Sequence, residues 1–202
     1  MKIEREHVLI AKGAFAASAE WASIRETVRA AVALVHWPPG SGSFTIYPES
    51  GKGRGKGNGV TPIKEAAIIH LEQAGWQREC RWPVGARIRP GNIDAGVKSR
   101  SGLVAFEWET GNVSSSHRAL NKMCLGLLTG VLKGGFLVVP TRRLYRFLTD
   151  RVGNEPELQP YFPFWSATPC PEGALEIIVI EHDAESWDVP RILKGTDGRA
   201  LA

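Results

Sequence analysis

Hydrophobic positions recur along this chain with two periods, and the changes of period mark out the elements. Trp21, Ile24, Val28, Val32 and Val35 return at spacings of three and four, while Glu20, Arg25, Glu26 and Arg29 take other faces. Residues 16–36 therefore read as an amphipathic helix, stopped by Trp37-Pro38-Pro39-Gly40. After a short extended piece, Phe44–Tyr47, a second helix is expected. Thr61 is its N-cap, Pro62 its first helical residue, Ile63, Ala66, Ala67, Leu71 and Ala74 its buried stripe, and Gly75 its C′ residue. Trp76–Arg81 reads as a strand. The period then becomes two: Ile93–Lys98 and Leu103–Glu109, joined by the turn Ser99–Gly102, form a hairpin. Val104, Phe106 and Trp108 share one of its faces; Ala105, Glu107 and Glu109 share the other.

Helical spacing resumes from about Ser116 to Leu132, with Leu120, Met123, Cys124, Leu127, Leu128 and Val131 inward and Arg118, Asn121 and Lys122 on the far side. The serines at 114–116 offer a cap. Gly135–Val139 is a continuous apolar run and reads as a buried strand. A helix beginning at Thr141-Arg142-Arg143 is expected to reach Thr149, with Leu144, Tyr145 and Leu148 inward. Pro156–Trp165 reads as an aromatic loop and Ala174–Glu181 as a last strand. No element is assigned to the first 15 residues. Helices alternating with strands around a hairpin give a mixed sheet with helices on its faces, an α/β fold.

The length of 202 residues and a hydrophobic content of 43% suit one globular domain spanning 1–202. No apolar run reaches the roughly 18 residues that span a bilayer, and no signal-peptide core stands at the N-terminus. Cys80, Cys124 and Cys170 show no CxxC pairing, so neither a zinc ribbon nor a disulfide framework is indicated and a reducing cytoplasm is expected. The formal charge of +4 permits nucleic-acid binding without demonstrating it. Part of that charge lies in a Gly/Lys-rich loop at 51–59, where Lys52, Arg54 and Lys56 alternate with glycine. It reads either as a flexible solvated loop or as a basic arm along a phosphate backbone. Arg87 and Arg89, ahead of the hairpin, are either phosphate contacts or solvated charges.

The chemistry concentrates in the hairpin. Glu107 and Glu109 share a strand face and Asp94 lies on the neighbouring strand, so three carboxylates can converge. The ordinary reading is the wet face of an antiparallel strand. The other is a cation site, since Mg²⁺ takes oxygen ligands, usually one or two carboxylates beside waters and phosphates. Glu65, in the first turn of its helix, is placed equally well by the helix dipole. Arg142 and Arg143 stand at a helix start, where the dipole disfavours cations, which suggests an anionic ligand. His117 has no partner at metal-ligand spacing and reads as a phosphate contact or as surface.

Asp94, a gap, and Glu107-Trp108-Glu109 resemble the PD-(D/E)xK nuclease signature in the variant where Glu replaces Lys. The segments NGVTPIKEAAIIHLEQAGW and GNVSSSHRALNKMCLGLLTGVLKGGFLVVPTRRLYRFLTDRVGNEPELQPYF look like BglII/BamHI-type restriction endonucleases. The resemblance covers roughly Asn58 to Trp165; it departs at Ile93, which stands where the signature has Pro. It implies the restriction-endonuclease-like fold, a central mixed β-sheet flanked by helices. It also implies a type II restriction endonuclease that hydrolyses double-stranded DNA at a short palindrome with one or two Mg²⁺ ions. Asp94, Glu107 and the Trp108 backbone carbonyl would hold metal, Glu109 would occupy the family's Lys place, and Glu65 would reach the metal site. Asn112, Ser114, Ser115, Thr141, Arg142 and Arg143 would contact DNA. A homodimer and a cognate DNA methyltransferase in the same system are the implied partners. Two other readings stand beside this one: a non-catalytic DNA-binding protein on a nuclease scaffold, and a repair or mobile-element nuclease of low specificity.

Overall fold

The structure, a computed structural model, describes residues 1–53, 55–81, 91–149 and 152–193. Its strands are β1 (Lys2–Lys12), β2 (Thr45–Ile46), β3 (Gln77–Cys80), β4 (Ile93–Lys98), β5 (Leu103–Trp108), β6 (Leu132–Pro140), β7 (Gly173–Glu181) and β8 (Ala184–Glu185). The helices are α1 (Gly13–Ala16), α2 (Ala19–Ala33), α3 (Thr61–Gln73), α4 (Val113–Leu128), α5 (Arg142–Tyr145), α6 (Glu155–Leu158) and α7 (Phe162–Ser166). Six strands form one mixed sheet in the order β1-β7-β6-β5-β4-β3. β5, β6 and β7 run parallel at its centre; the β4–β5 hairpin, β3 and β1 pair antiparallel. β2 and β8 make a separate parallel pair.

Helices cover both faces. On one, Trp21, Val28 and Val32 of α2 and Ile63, Ala67 and Leu71 of α3 pack on Val104, Phe106, Phe136 and Ile178. On the other, Leu120, Met123 and Leu127 of α4 and Trp165 of α7 pack on Ala105, Leu137, Leu175 and Ile177. All nine residues of β7 are buried, as expected of a strand with helices on both sides. Full burial of a Val, Leu, Ile or Phe side chain contributes about 1.5–3 kcal/mol, so these two layers dominate the stability. β6 carries Gly134 where α2 approaches most closely: a Cβ there would lie 2.5 Å from Trp21 Cζ3. Trp21 uses the space to stack on Phe136, with ring centroids 4.8 Å apart.

Several boundaries differ from the sequence reading for identifiable reasons. β1 has no counterpart in it. Its register shifts twice against β7, between Ile3 and Arg5 and between Val8 and Ile10, which breaks the alternation a strand normally shows. As an edge strand it also carries Glu4, Arg5 and Glu6, charges that blunt an edge and disguise it. α3 is capped one residue early, at Val60, and Thr61 is already helical; Gly75 follows the helix with φ +88°, as expected of C′. α4 starts at Val113, because Asn112, not a serine, caps it: its side chain accepts from Ser114 N at 3.0 Å. α5 is capped by Thr141 and begins at Arg142, but it ends at Tyr145 rather than Thr149. Pro156–Trp165 is built of short helical turns rather than loop. The expectations for Arg54, Arg87, Arg89 and the C-terminal tail beyond Leu193 fall outside the described residues.

Candidate active site

β5 and β6 are parallel neighbours, so the segments that leave their C-terminal ends, 109–112 and 141–143, emerge at the same edge of the sheet. Asp94, Glu107 and Glu109 line one cleft of about 220 Å³ at that edge, together with Ser115, Arg118 and Lys122. Each carboxylate has its own partners. Asp94 Oδ2 accepts from the Trp108 backbone N–H at 2.8 Å, which ties the two strands together just beyond their Ala95–Phe106 pair. Asp94 Oδ1 accepts from Lys64 Nζ at 3.0 Å. Glu107 accepts from Lys122 Nζ, which also donates to Asn92 O at 2.9 Å. Glu109 accepts from the Gly111 N–H at 2.5 Å and from the Ser116 hydroxyl.

Burial makes these acids unusual. Glu107 is 9% exposed and Glu109 is 4% exposed. Desolvation pushes Glu109 up to about 7, with the charges of Glu107 and Asp94 adding to it and the bonds from Ser116 and Gly111 opposing it. Glu107 rises to about 6, again through burial first and the Asp94 charge second, both opposed by Lys122. The close ammonium would by itself lower Glu107; it is outweighed because both partners have left water together.

Among the described residues no three His, Cys, Asp or Glu side chains close around one ion position, and lysine ammonium groups sit on one oxygen each of Asp94 and Glu107. A divalent cation nevertheless fits the chemistry of the cleft. All its acidic donors are hard oxygens, Mg²⁺ needs only one or two protein carboxylates, and crowded buried carboxylates are relieved by positive charge.

Other expected site residues fall into distinct positions. Glu65 is not in the cleft. Its carboxylate is bonded to Arg78 Nη1, and it lines an apolar groove with Leu34, Trp37 and Ile69; its neighbour Lys64 is the α3 residue that reaches an acid. One position along a helix turns a side chain by about 100°, enough to exchange the two. Thr141 is buried: it caps α5 by accepting from Leu144 N at 3.1 Å and donates to Glu181 Oε2 at 2.6 Å. Arg142 is largely exposed, over the Tyr145 ring at 4.6 Å and 3.6 Å from Glu157 Oε1. Arg143 is exposed and bonded to Glu185 Oε1 at 2.8 Å. Asn112 and Ser114 are exposed at the start of α4, and Ser115 faces the cleft.

The Gly-rich loop is held at several points. Gly51 N donates to Arg146 O at 2.9 Å, and Glu49 gathers Lys56 and Arg191, which hold its carboxyl down at about 2. Lys52 is exposed. His117 packs edge-on against Tyr161 and Trp165, with centroids 4.4 and 5.1 Å away, and lines an open groove with Arg118 and Asn121.

Four residues of this site were not singled out from the sequence: Lys64, Ser116, Arg118 and Lys122. The apolar stripe of α4 puts Lys122 on the side away from the core, yet it is 8% exposed. Buried Ala119 and Gly126 stand three before and four after it, so small residues mark a helix face drawn close to the sheet. That row is the feature from which Lys122 is recoverable.

Known proteins resemble this chain in sequence and in fold. Residues 1–199 match the family model described as restriction endonuclease BamHI. The type II restriction enzyme OkrAI of Oceanobacter kriegii is 46% identical over 202 residues, covering all of both chains. The type II restriction enzyme BamHI of Bacillus amyloliquefaciens is 36% identical over 180 residues, 85% of this chain and 79% of that one. Among solved structures, restriction endonuclease BglII complexed with a DNA 16-mer superposes with a TM-score of 0.62 at 11% identity, over 91% of this chain and 79% of the other, a likeness of fold. Among the described residues no helix is long and apolar enough to cross a membrane.

Proposed function

This chain belongs to the restriction endonuclease BamHI family, and on that premise we propose that it is a Mg²⁺-dependent type II restriction endonuclease acting on a short palindromic site in double-stranded DNA. The observation that carries the reading is the cleft shared by Asp94, Glu107 and Glu109 at the edge where β5 meets the start of α4. Asp94 and Glu107, with the Trp108 carbonyl, are the residues to hold one or two ions. Bound there, Mg²⁺ supplies a water of lowered pKa and neutralises charge growing on the phosphate. Glu109 orients the attacking water and takes its proton; held near 7, it can do so at neutral pH. The new bond joins the water oxygen to phosphorus, one P–O ester bond breaks, and the departing oxygen takes a proton from solvent.

Base reading falls to the exposed residues beside the cleft. Asn112, Ser114 and Ser115 can address base edges from the start of α4, and Arg142 and Arg143 from α5. Thr141 serves as the cap that positions those two arginines. Lys52, Arg54 and Lys56 add sequence-independent attraction to phosphates. A palindrome has a two-fold axis, so a C₂ homodimer would present one site to each strand. The exposed Leu125, Leu128 and Tyr161 support an apolar contact on that side of α4. A single domain over 1–202, a cytoplasmic location and a cognate methyltransferase complete the reading.

A binding protein without catalysis would gain nothing from three acids beside phosphates, which favours the enzyme. The test is incubation of purified protein with long DNA and Mg²⁺, alongside Asp94→Ala. Discrete fragments made by the wild type alone are expected. A smear would mean a nuclease of low specificity, no cutting a binding protein, and equal cutting by the variant would remove Asp94 from the mechanism.

A further inference from the structure

Two ammonium groups reach the acids from helices on opposite faces of the sheet: Lys64 from α3 and Lys122 from α4. Lys122 is the more unusual. Its Nζ donates to Glu107 Oε1 and to Asn92 O, and the residue is at least as buried as the acid it meets. Lysine is almost never fully buried unless paired, and ordinarily it threads its stem past a helix to keep its head in water. If α4 had only to pack on the sheet here, a chain as long as methionine would fill the same space without desolvating a charge. The ammonium instead neutralises an acid that the proposed reaction assigns to a divalent ion. One Glu107 oxygen cannot hold Lys122 and a metal ion at contact distance together, because two cations that close repel.

We propose that Lys122, seconded by Lys64, is the resident counter-ion of the acid pair. It holds Glu107 in place while no divalent ion is bound, and it must give up Oε1 for an ion to take that oxygen. Lys122 is thus a positioning residue whose charge sets how weakly the cleft binds metal. The inference rests on the reading above that Asp94 and Glu107 are the ion's ligands.

The test reads metal binding without DNA and without turnover: titration with Mn²⁺, following the free ion by electron paramagnetic resonance. Lys122→Met is expected to bind Mn²⁺ roughly tenfold more tightly than wild type, the lower end of what one adjacent charge does to an ionic equilibrium. Lys122→Arg, which keeps the charge, should stay near the wild-type value, and Lys64→Met should tighten binding by less. Equal or weaker binding by Lys122→Met overturns the proposal. Circular dichroism with and without Mn²⁺ covers the chance that removing the charge unfolds the chain. Folding of Lys122→Met restored by Mn²⁺ supports displacement, whereas a variant still unfolded at saturating Mn²⁺ overturns it. If wild type and Asp94→Ala bind Mn²⁺ identically, the metal assignment itself has failed, which is a separate result.

Discussion

Glu109→Gln should make the metal-free protein more stable, and only on the alkaline side. Glu109 is 4% exposed and its carboxyl is raised from the ordinary 4.5 to about 7, chiefly by burial. Between those values the folded chain binds a proton that the unfolded chain has released. Stability is therefore fully present below about pH 4.5, is lost as pH rises through about 7, and then levels off. At 1.36 kcal/mol for each tenfold change in the ionisation equilibrium, the ionised form costs on the order of 3 kcal/mol. Glutamine has the same shape and no charge. Its carbonyl can accept from the Gly111 N–H and its amide can donate to Ser116 Oγ, whose hydroxyl is free to rotate, so the local bonds survive. Urea unfolding in a chelator, repeated from about pH 4.5 to about pH 8, measures this through the midpoint at constant slope. The two proteins should coincide at the acid end and diverge by about 3 kcal/mol at the other. Glu107, which shifts in the same direction, keeps some slope in the variant. Adding Mg²⁺ should restore most of the wild-type loss at high pH. Parallel curves, or a variant less stable than wild type above neutrality, would refute the claim that burial of a charge governs this residue.

Other outcomes rest on particular contacts. Gly134→Val should destabilise the fold by about 1–3 kcal/mol in the same urea assay, since its Cβ meets the ring of Trp21; an unchanged midpoint would mean that α2 can move away. Thr141→Ala removes the α5 cap and leaves Glu181 Oε2 without its donor, so a loss of roughly 1–3 kcal/mol is expected, with Thr141→Ser recovering most of it. Asn112→Ala should lose about 1 kcal/mol of stability with its cap, while Asn112→Asp keeps the cap. Both, like Arg142→Ala, should cost about 1–3 kcal/mol of discrimination at one base position. Neutralising Lys52 and Lys56 should instead weaken binding to all DNA and flatten its salt dependence. Affinities for single-base variants of the site at two salt concentrations separate these, and equal loss on cognate and variant sites would move Asn112 and Arg142 to backbone contact.

Periodicity with cap, Pro and turn residues places α2, α3, the β4–β5 hairpin, α4, β6 and β7, because each buries a regular stripe or a short apolar run bounded by breakers. Glu107 and Glu109 are legible in the same way, since two residues apart in a strand means one face, and the hairpin turn sets the strand of Asp94 beside them. Tertiary structure decided the rest. β1 acquires its identity from its partner, β7, and its bulges erase the alternation that would have revealed it. The choice between Lys64 and Glu65 at the cleft depends on how α3 is rolled against the sheet, which adjacent charged residues do not encode. The depth of Lys122 depends on how α4 lies across the sheet, so a residue that looks like solvent charge along the helix becomes a buried cation against Glu107. The proton affinities of Glu107 and Glu109 belong to this same level. A carboxylate's charge is written in the sequence, but the cost of keeping it is set by the water that folding removes.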